Sequence, residues 1–158
     1  MGTLHSLEHP VQAGVWHGSI PLEHRYTAGV AGERFLHGLK EGKIYGTRCA
    51  HCDYTYVPAR MYCERCLAHL GEQAWLEIGL EGELRSFTEV HLDPSGQRLA
   101  KPRWVGLVRL GGASGVLMHN LEGVTPENAR VGLAVKAVFR PAKERSGSIN
   151  DIRHFAPA

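Results

Sequence analysis

The chain has 158 residues, 43% of them apolar and 22% charged, with a formal net charge of +2. That length allows one large domain or two small ones, and a net charge this small does not imply a nucleic-acid or membrane partner. The 19 glycines point to turns and short strands rather than long helices.

Residues 1–24 contain His5, His9, His17 and His24 with little periodicity. They read as a tail, or as an arm that orders on a partner through Val15, Trp16 and Ile20. The histidine spacings are too irregular for a metal site. Met1 to Trp16 lacks a basic stretch followed by an apolar core, so no signal peptide is expected. No apolar run approaches the ~20 residues of a membrane span. The expected setting is a reducing cytoplasm, with no membrane partner.

Residues 25–43 form the next segment. Ala31, Phe35 and Leu39, with Leu36 alongside, make one apolar stripe, which predicts a helix over 27–41. Thr27 is its expected N-cap and Gly42 its expected C-terminal stop.

Residues 44–70 hold all four cysteines, as Cys49-Ala50-His51-Cys52 and Cys63-Glu64-Arg65-Cys66 with ten residues between. Two such turns bring four thiolates to one centre, as a closed tetrahedral Zn²⁺ site requires. Cys49, Cys52, Cys63 and Cys66 are the candidate metal ligands. Four cysteines fill the coordination shell, so the metal is read as structural rather than catalytic. Iron in the same cage is the rival, because both metals accept tetrahedral sulfur. Two disulfides would need an oxidising compartment. Tyr54 to Val57 reads as a strand ended by Pro58. Arg48, Arg60 and Arg65 stand around the site, and His51 and His69 are expected at the surface. So small a ribbon depends on its metal to fold.

Residues 71–158 read as all-β. Leu80 to Leu92 is one long stretch, with Leu80, Leu84, Val90 and Leu92 on one parity and Phe87 on the other. Gly79 and Gly82 could bend it. Asp93-Pro94-Ser95-Gly96 is a turn. Gln97 to Arg103 reads as a solvated loop, or as a cationic lip of Arg98, Lys101 and Arg103 for a phosphate-bearing ligand. Trp104 to Leu110 and Val116 to Leu121 are strands around a Gly111 to Gly115 turn. Val131, Leu133, Val135, Ala137 and Phe139 alternate as a strand with one buried face. Ile149 to Phe155 is the last. Five strands, the first long and bent, suit a small closed barrel of the OB type; a β-sandwich is the alternative.

Phosphate-cradling glycine motifs and G-x-S-x-G are missing, and no residue is nominated as catalytic. An iron electron carrier and a single-stranded nucleic-acid module are therefore competing readings. The second is weakened by few aromatics (Phe87, Trp104, Phe139) and a near-neutral charge.

Taken together, several stretches resemble the DUF35 family, a rubredoxin-like zinc ribbon followed by an OB-fold. They are Arg25-Tyr26-Thr27 with Phe35 and Leu36, Ile44 to Cys49, Cys52, Pro58 with Arg60, Cys63 and Cys66. Trp75, Gly79, Gly82-Glu83-Leu84, Ser86-Phe87-Thr88, Val131 to Val135 and Phe155-Ala156-Pro157 complete the match. Asp53 stands where the family usually has glycine, Ala59 where a second proline is common, and Glu64 where a proline often precedes the last cysteine. The resemblance implies a mainly β protein: an N-terminal helical segment, a zinc ribbon, then a five-stranded OB barrel. It implies a non-catalytic subunit of a thiolase-type acyl-CoA enzyme, with structural Zn²⁺ and a coenzyme A thioester as ligand of the complex. Companions of a MaoC-type (hot-dog-fold) enoyl-CoA hydratase or of a steroid side-chain aldolase are alternatives. The family also implies that the OB domain sits near the CoA ligand, while ribbon and helix contribute to the subunit interface.

Overall fold

A computed structural model describes residues 27–158. The N-terminal arm with its four histidines and Trp16, and the Arg25-Tyr26 pair, lie outside them. Helix α1 runs Gly29–Glu41 and buries Ala31, Phe35, Gly38 and Leu39, the face that the apolar stripe predicts. Its start differs from expectation. Ala28 is the N-cap, no side chain caps it, and Thr27 lies just outside the helix. Gly42 does close the helix, at φ +83°, where a side chain would be strained. Its amide, at 3.0 Å, hydrogen-bonds the Leu39 carbonyl oxygen.

Strands β1 (Ile44–Cys49), β2 (Tyr54–Tyr56) and β3 (Trp75–Ile78) form an antiparallel sheet in the order β2-β1-β3. β3 was not foreseen as a separate strand, because Leu80 to Leu92 dominated the apolar pattern after the ribbon. Thr47, fully buried on β1, ties the sheet to the segment leading to the second cysteine pair. Its hydroxyl donates to the Arg60 carbonyl at 3.0 Å and accepts from the Arg60 amide at 2.9 Å.

Strands β4 (Glu81–Leu92), β5 (Arg98–Leu110), β6 (Leu117–Leu121), β7 (Ala134–Phe139) and β8 (Ile152–Pro157) close into one barrel in the order β4-β5-β6-β8-β7. The sandwich alternative is thereby excluded. Gly82 sits where β4 pairs on both edges, opposite Leu110 and Val135. A Cβ there would come within 2.8 Å of the Leu110 Cα, so the crossing needs glycine.

Several strand predictions shift for identifiable reasons. A bulge between Leu84 and Ser86 flips the parity of β4, so Leu84 and Phe87 both meet the core and the single-parity reading fails beyond Leu84. Arg98 to Arg103 belongs to β5 rather than to a loop. The Asp93 carboxylate accepts the amides of Ser95 and Gln97, both at 2.9 Å, so the turn is tight and the strand resumes at once. Val131 is 62% exposed; Gly132, at φ +83°, breaks the alternation, and β7 starts only at Ala134. Likewise β6 starts at Leu117, leaving Val116 exposed. The last element opens with a 3-10 turn over Ile149–Asp151 before β8. Ser148 caps that turn, and the buried Asp151 carboxylate accepts the amides of Ser146, Gly147 and Ser148.

One apolar core runs from Phe35 and Leu39 of α1 through Ile44 and Ile78 into the barrel around Leu84, Val108, Ile152 and Phe155. The ribbon edge is also stitched to the barrel: Thr55 and Ser114 exchange hydrogen bonds of 3.0 Å. The β6–β8 seam is the barrel's thinnest, with one parallel register pair, Leu121 opposite Phe155. Beneath it, His119 Nε2 lies 3.3 Å from the Ile149 carbonyl oxygen, and its buried Nδ1 has no hydrogen-bond partner among the described residues. His154 Nδ1 lies 3.0 Å from Glu122 Oε2, but outside hydrogen-bond alignment. Burial holds the His119 pKa below its ordinary value. An unfolded chain takes up this proton near pH ~6.5, so stability falls as the pH drops below that value. We expect the melting temperature to decline between pH 7 and pH 5, and His119→Gln to flatten that slope; an unchanged slope would remove His119 as its cause.

Candidate metal centre and barrel groove

Each cysteine pair sits on a turn whose next residue is left-handed: Asp53 at φ +50° after Cys52, Leu67 at φ +60° after Cys66. The first turn explains the departure from glycine. Aspartate tolerates this backbone region better than most side chains, and Arg48 on β1 pairs with its carboxylate. Leu67 takes the same conformation while 78% exposed.

The four sulfurs lie within 4.8 Å of one another, and Cys49 Sγ is 3.6 Å from Cys66 Sγ. With Zn–S bonds of about 2.3 Å, a tetrahedral site has S–S edges of about 3.8 Å, so the donor set fits a four-thiolate metal. Cys49 and Cys63 are buried, Cys52 is half-buried and Cys66 is exposed. The ligand atoms therefore sit at the border of a small second cluster with Tyr56 and Leu70. Among the described residues, no other group of three or more His, Cys, Asp or Glu ligand atoms is this close.

The surroundings favour the thiolate at Cys63. Tyr56 donates its hydroxyl to Cys63 Sγ at 3.2 Å, and the Arg65 amide donates to the same sulfur at 3.4 Å. The Tyr56 bond is the main reason the Cys63 thiol is pulled down to about 6. Cys52, sharing a hydrogen bond with Cys66, is pushed up to about 12. Four thiols this close cannot all ionise without a cation between them, which a divalent metal held by the four sulfurs would supply.

The three arginines do not face the sulfurs with their charges. Arg48 pairs with Asp53, Arg60 with Glu64 at 3.0 Å, and the Arg65 guanidinium lies over the Tyr54 ring at 5.3 Å. They brace the turns. His51 and His69 are exposed, and His69 packs on Tyr62 with ring centres 5.3 Å apart.

Lys101 and Arg103 line a cleft of about 440 Å³ on the barrel, between β5 and β6, together with Trp104, Asn120, Glu122 and Arg153. Arg98 is not among its lining residues, so the expected lip is regrouped. Arg153, on β8, was missed because only the β6–β8 seam brings it beside β5. No helix of the described residues is long and apolar enough to cross a membrane.

The comparisons with known proteins agree with this architecture. The family model for the ChsH2 rubredoxin-like zinc ribbon domain matches residues 36–70, and that for the ChsH2 C-terminal OB-fold domain matches residues 75–140. A DUF35 domain-containing scaffold protein of Methanocaldococcus jannaschii is 26% identical over 101 residues, covering 64% of this chain and 70% of that protein. The solved Ltp2–ChsH2(DUF35) aldolase shares the fold, with a TM-score of 0.55 and 24% identity over 78% of this chain and 91% of that one. A DUF35-family protein of unknown function from Sulfolobus solfataricus superposes with a TM-score of 0.62 at 32% identity, covering 82% of this chain and 85% of that one. A four-cysteine ribbon joined through one core to a closed five-stranded barrel, with that level of identity to a DUF35 structure, establishes that this chain belongs to the DUF35 family.

Proposed function

We propose that this chain is a non-catalytic companion subunit of a thiolase-type acyl-CoA enzyme, with a structural zinc on Cys49, Cys52, Cys63 and Cys66. The observation that carries the reading is the union of a closed four-thiolate cluster with an OB barrel in a DUF35 member. The names of its relatives support it: one is a scaffold protein, and another is part of an aldolase assembly. In this reading the metal does no chemistry. It fixes the ribbon against α1 and the barrel, while the barrel helps hold a coenzyme A thioester for the partner's active site. A reducing cytoplasm suits the thiolates. The aldolase relative favours a second reading, in which the catalytic partner is an aldolase, of the steroid side-chain kind that the family resemblance implies.

Co-expression with the thiolase-fold product of a neighbouring gene tests the proposal. A stable complex of fixed stoichiometry is expected. Separate elution of the two proteins, with thiolase activity indifferent to this chain, would refute it. Residues 1–24 belong to the proposal as a partner-binding arm. Their deletion is expected to leave the melting temperature unchanged and to weaken the complex; normal assembly of the truncated chain would reduce the arm to a tail.

A further inference from the structure

The four sulfurs are alike in chemistry but not in access. Cys49 and Cys63 are fully buried, Cys52 is half-buried and Cys66 is exposed. The backbone accounts for the difference. Cys49 is the last residue of β1 and pairs there with Tyr54 of β2, so a sheet holds it. Cys63 is buried at the start of the second turn, and its sulfur accepts hydrogen bonds from the Tyr56 hydroxyl and the Arg65 amide. Cys66 stands between Arg65 and Leu67, both exposed, so the same turn carries its second sulfur out to water.

An oxidant reaches the solvent-facing thiolate first. The sulfur that can answer is close by. Cys49 Sγ lies 3.6 Å from Cys66 Sγ, across the two turns and seventeen residues away in the chain. These two sulfurs have only about 1.6 Å left to close, from 3.6 Å to the ~2.05 Å of a disulfide. The exposed turn around Cys66 can supply that movement while Cys49 stays on its strand. The chain has no cysteine outside this cluster, so any internal disulfide must be drawn from these four thiols.

We infer that Cys66 is a redox modification site for peroxides and that Cys49 resolves it as a disulfide, which dismantles the metal-binding set. It rests on the structural-zinc reading above and gives that site a switch. In the first step the Cys66 thiolate attacks one peroxide oxygen. An S–O bond forms, the O–O bond breaks and hydroxide leaves, so the sulfur is oxidised to a sulfenic acid and the peroxide is reduced. In the second step the Cys49 thiolate attacks the Cys66 sulfur. The S–S bond forms, the S–O bond breaks and a second hydroxide leaves. Two protons from solvent turn both hydroxides into water. Cys52 and Cys63 then remain, and two thiolates cannot close a shell that needs four. A dithiol reductant restores the set by exchange. The effect is regional, because β1 keeps its place in the sheet while residues 50–70 lose their brace.

The test uses the full-length unaltered chain, purified with its metal, so failure of a variant to fold cannot mask the outcome. A brief pulse of N-ethylmaleimide is expected to label Cys66 about tenfold or more faster than Cys49 or Cys63; equal labelling of all four would overturn the order of attack. Hydrogen peroxide is then added, and disulfides are mapped by peptide mass spectrometry while released zinc is captured by a colorimetric chelator. One zinc is expected to leave for each Cys49–Cys66 disulfide formed. Hydrogen exchange should accelerate over residues 50–70, and dithiothreitol with added zinc should reverse both changes. Four free thiols after peroxide would overturn the switch. So would a disulfide joining any other pair, a Cys66 link between two chains, or Cys66 advancing to sulfinic acid with Cys49 still reduced. The switch and the metal reading fail separately. A zinc-loaded chain inert to peroxide loses only the switch, whereas a chain that holds no zinc as purified yet joins Cys49 to Cys66 loses only the structural zinc.

Discussion

Cys63→Ser is expected to release the metal and unfold the ribbon. Cys63 is fully buried and collects donors from Tyr56 and Arg65. Serine leaves those donors facing a harder, higher-pKa oxygen that does not replace a thiolate ligand. The apolar cluster around it is small, centred on Cys49, Tyr56, Cys63 and Leu70, and cannot hold the turns closed by itself. A structural zinc contributes on the order of 10 kcal/mol in such modules. The ribbon's other face shares the main core, so the loss should be regional. Elemental analysis should fall from one zinc per chain towards none. Hydrogen exchange should accelerate across residues 44–70, with the barrel strands opening less. A strong chelator should give the same pattern. An unchanged melting temperature and unchanged exchange would contradict a structural metal.

Phe155→Ala is expected to cost about 3–5 kcal/mol, the range for a large aromatic removed from a core that cannot collapse around the gap. Phe155 is fully buried and sits on the weakest seam. Its backbone is the β8 partner of Leu121, its carbonyl accepts the Glu122 amide at 2.9 Å, and its ring meets His119 edge-on at 5.9 Å. Truncation therefore empties the core and loosens barrel closure together. Denaturant titration should show a lower midpoint, and a variant as stable as the parent would mean that the seam is held elsewhere.

The four-cysteine ribbon was legible because its signal is chemical and local: two C-x-x-C turns announce four clustered sulfurs without any tertiary knowledge. The helix was legible from Phe35 and Leu39, whose spacing matches one face. Its start was not, since Thr27 offers a good cap that the backbone does not use. The barrel was legible in strand number and closure but not in detail. A single bulged residue, Arg85, reversed the parity of β4 from Ser86 to Val90, a second irregularity follows before Leu92, and no propensity marks a bulge. β3 was hidden because its partner, β1, lies about thirty residues earlier on the far side of both cysteine turns. The groove suffered most. Arg103 and Arg153 are fifty residues apart in the chain, and only the β5–β6–β8 order makes them neighbours. Asp53 worked the other way: a departure from family habit that its left-handed backbone and its Arg48 partner render intelligible.

The most direct test of the companion role is the acyl-CoA activity of the purified thiolase-fold partner, measured while this chain is titrated into it. The chain alone should turn over no acyl-CoA. The partner's activity should rise with added chain and saturate at a fixed molar ratio, and the Cys63→Ser chain should not support the rise. Activity that ignores the added chain, or turnover by this chain alone, would contradict the account.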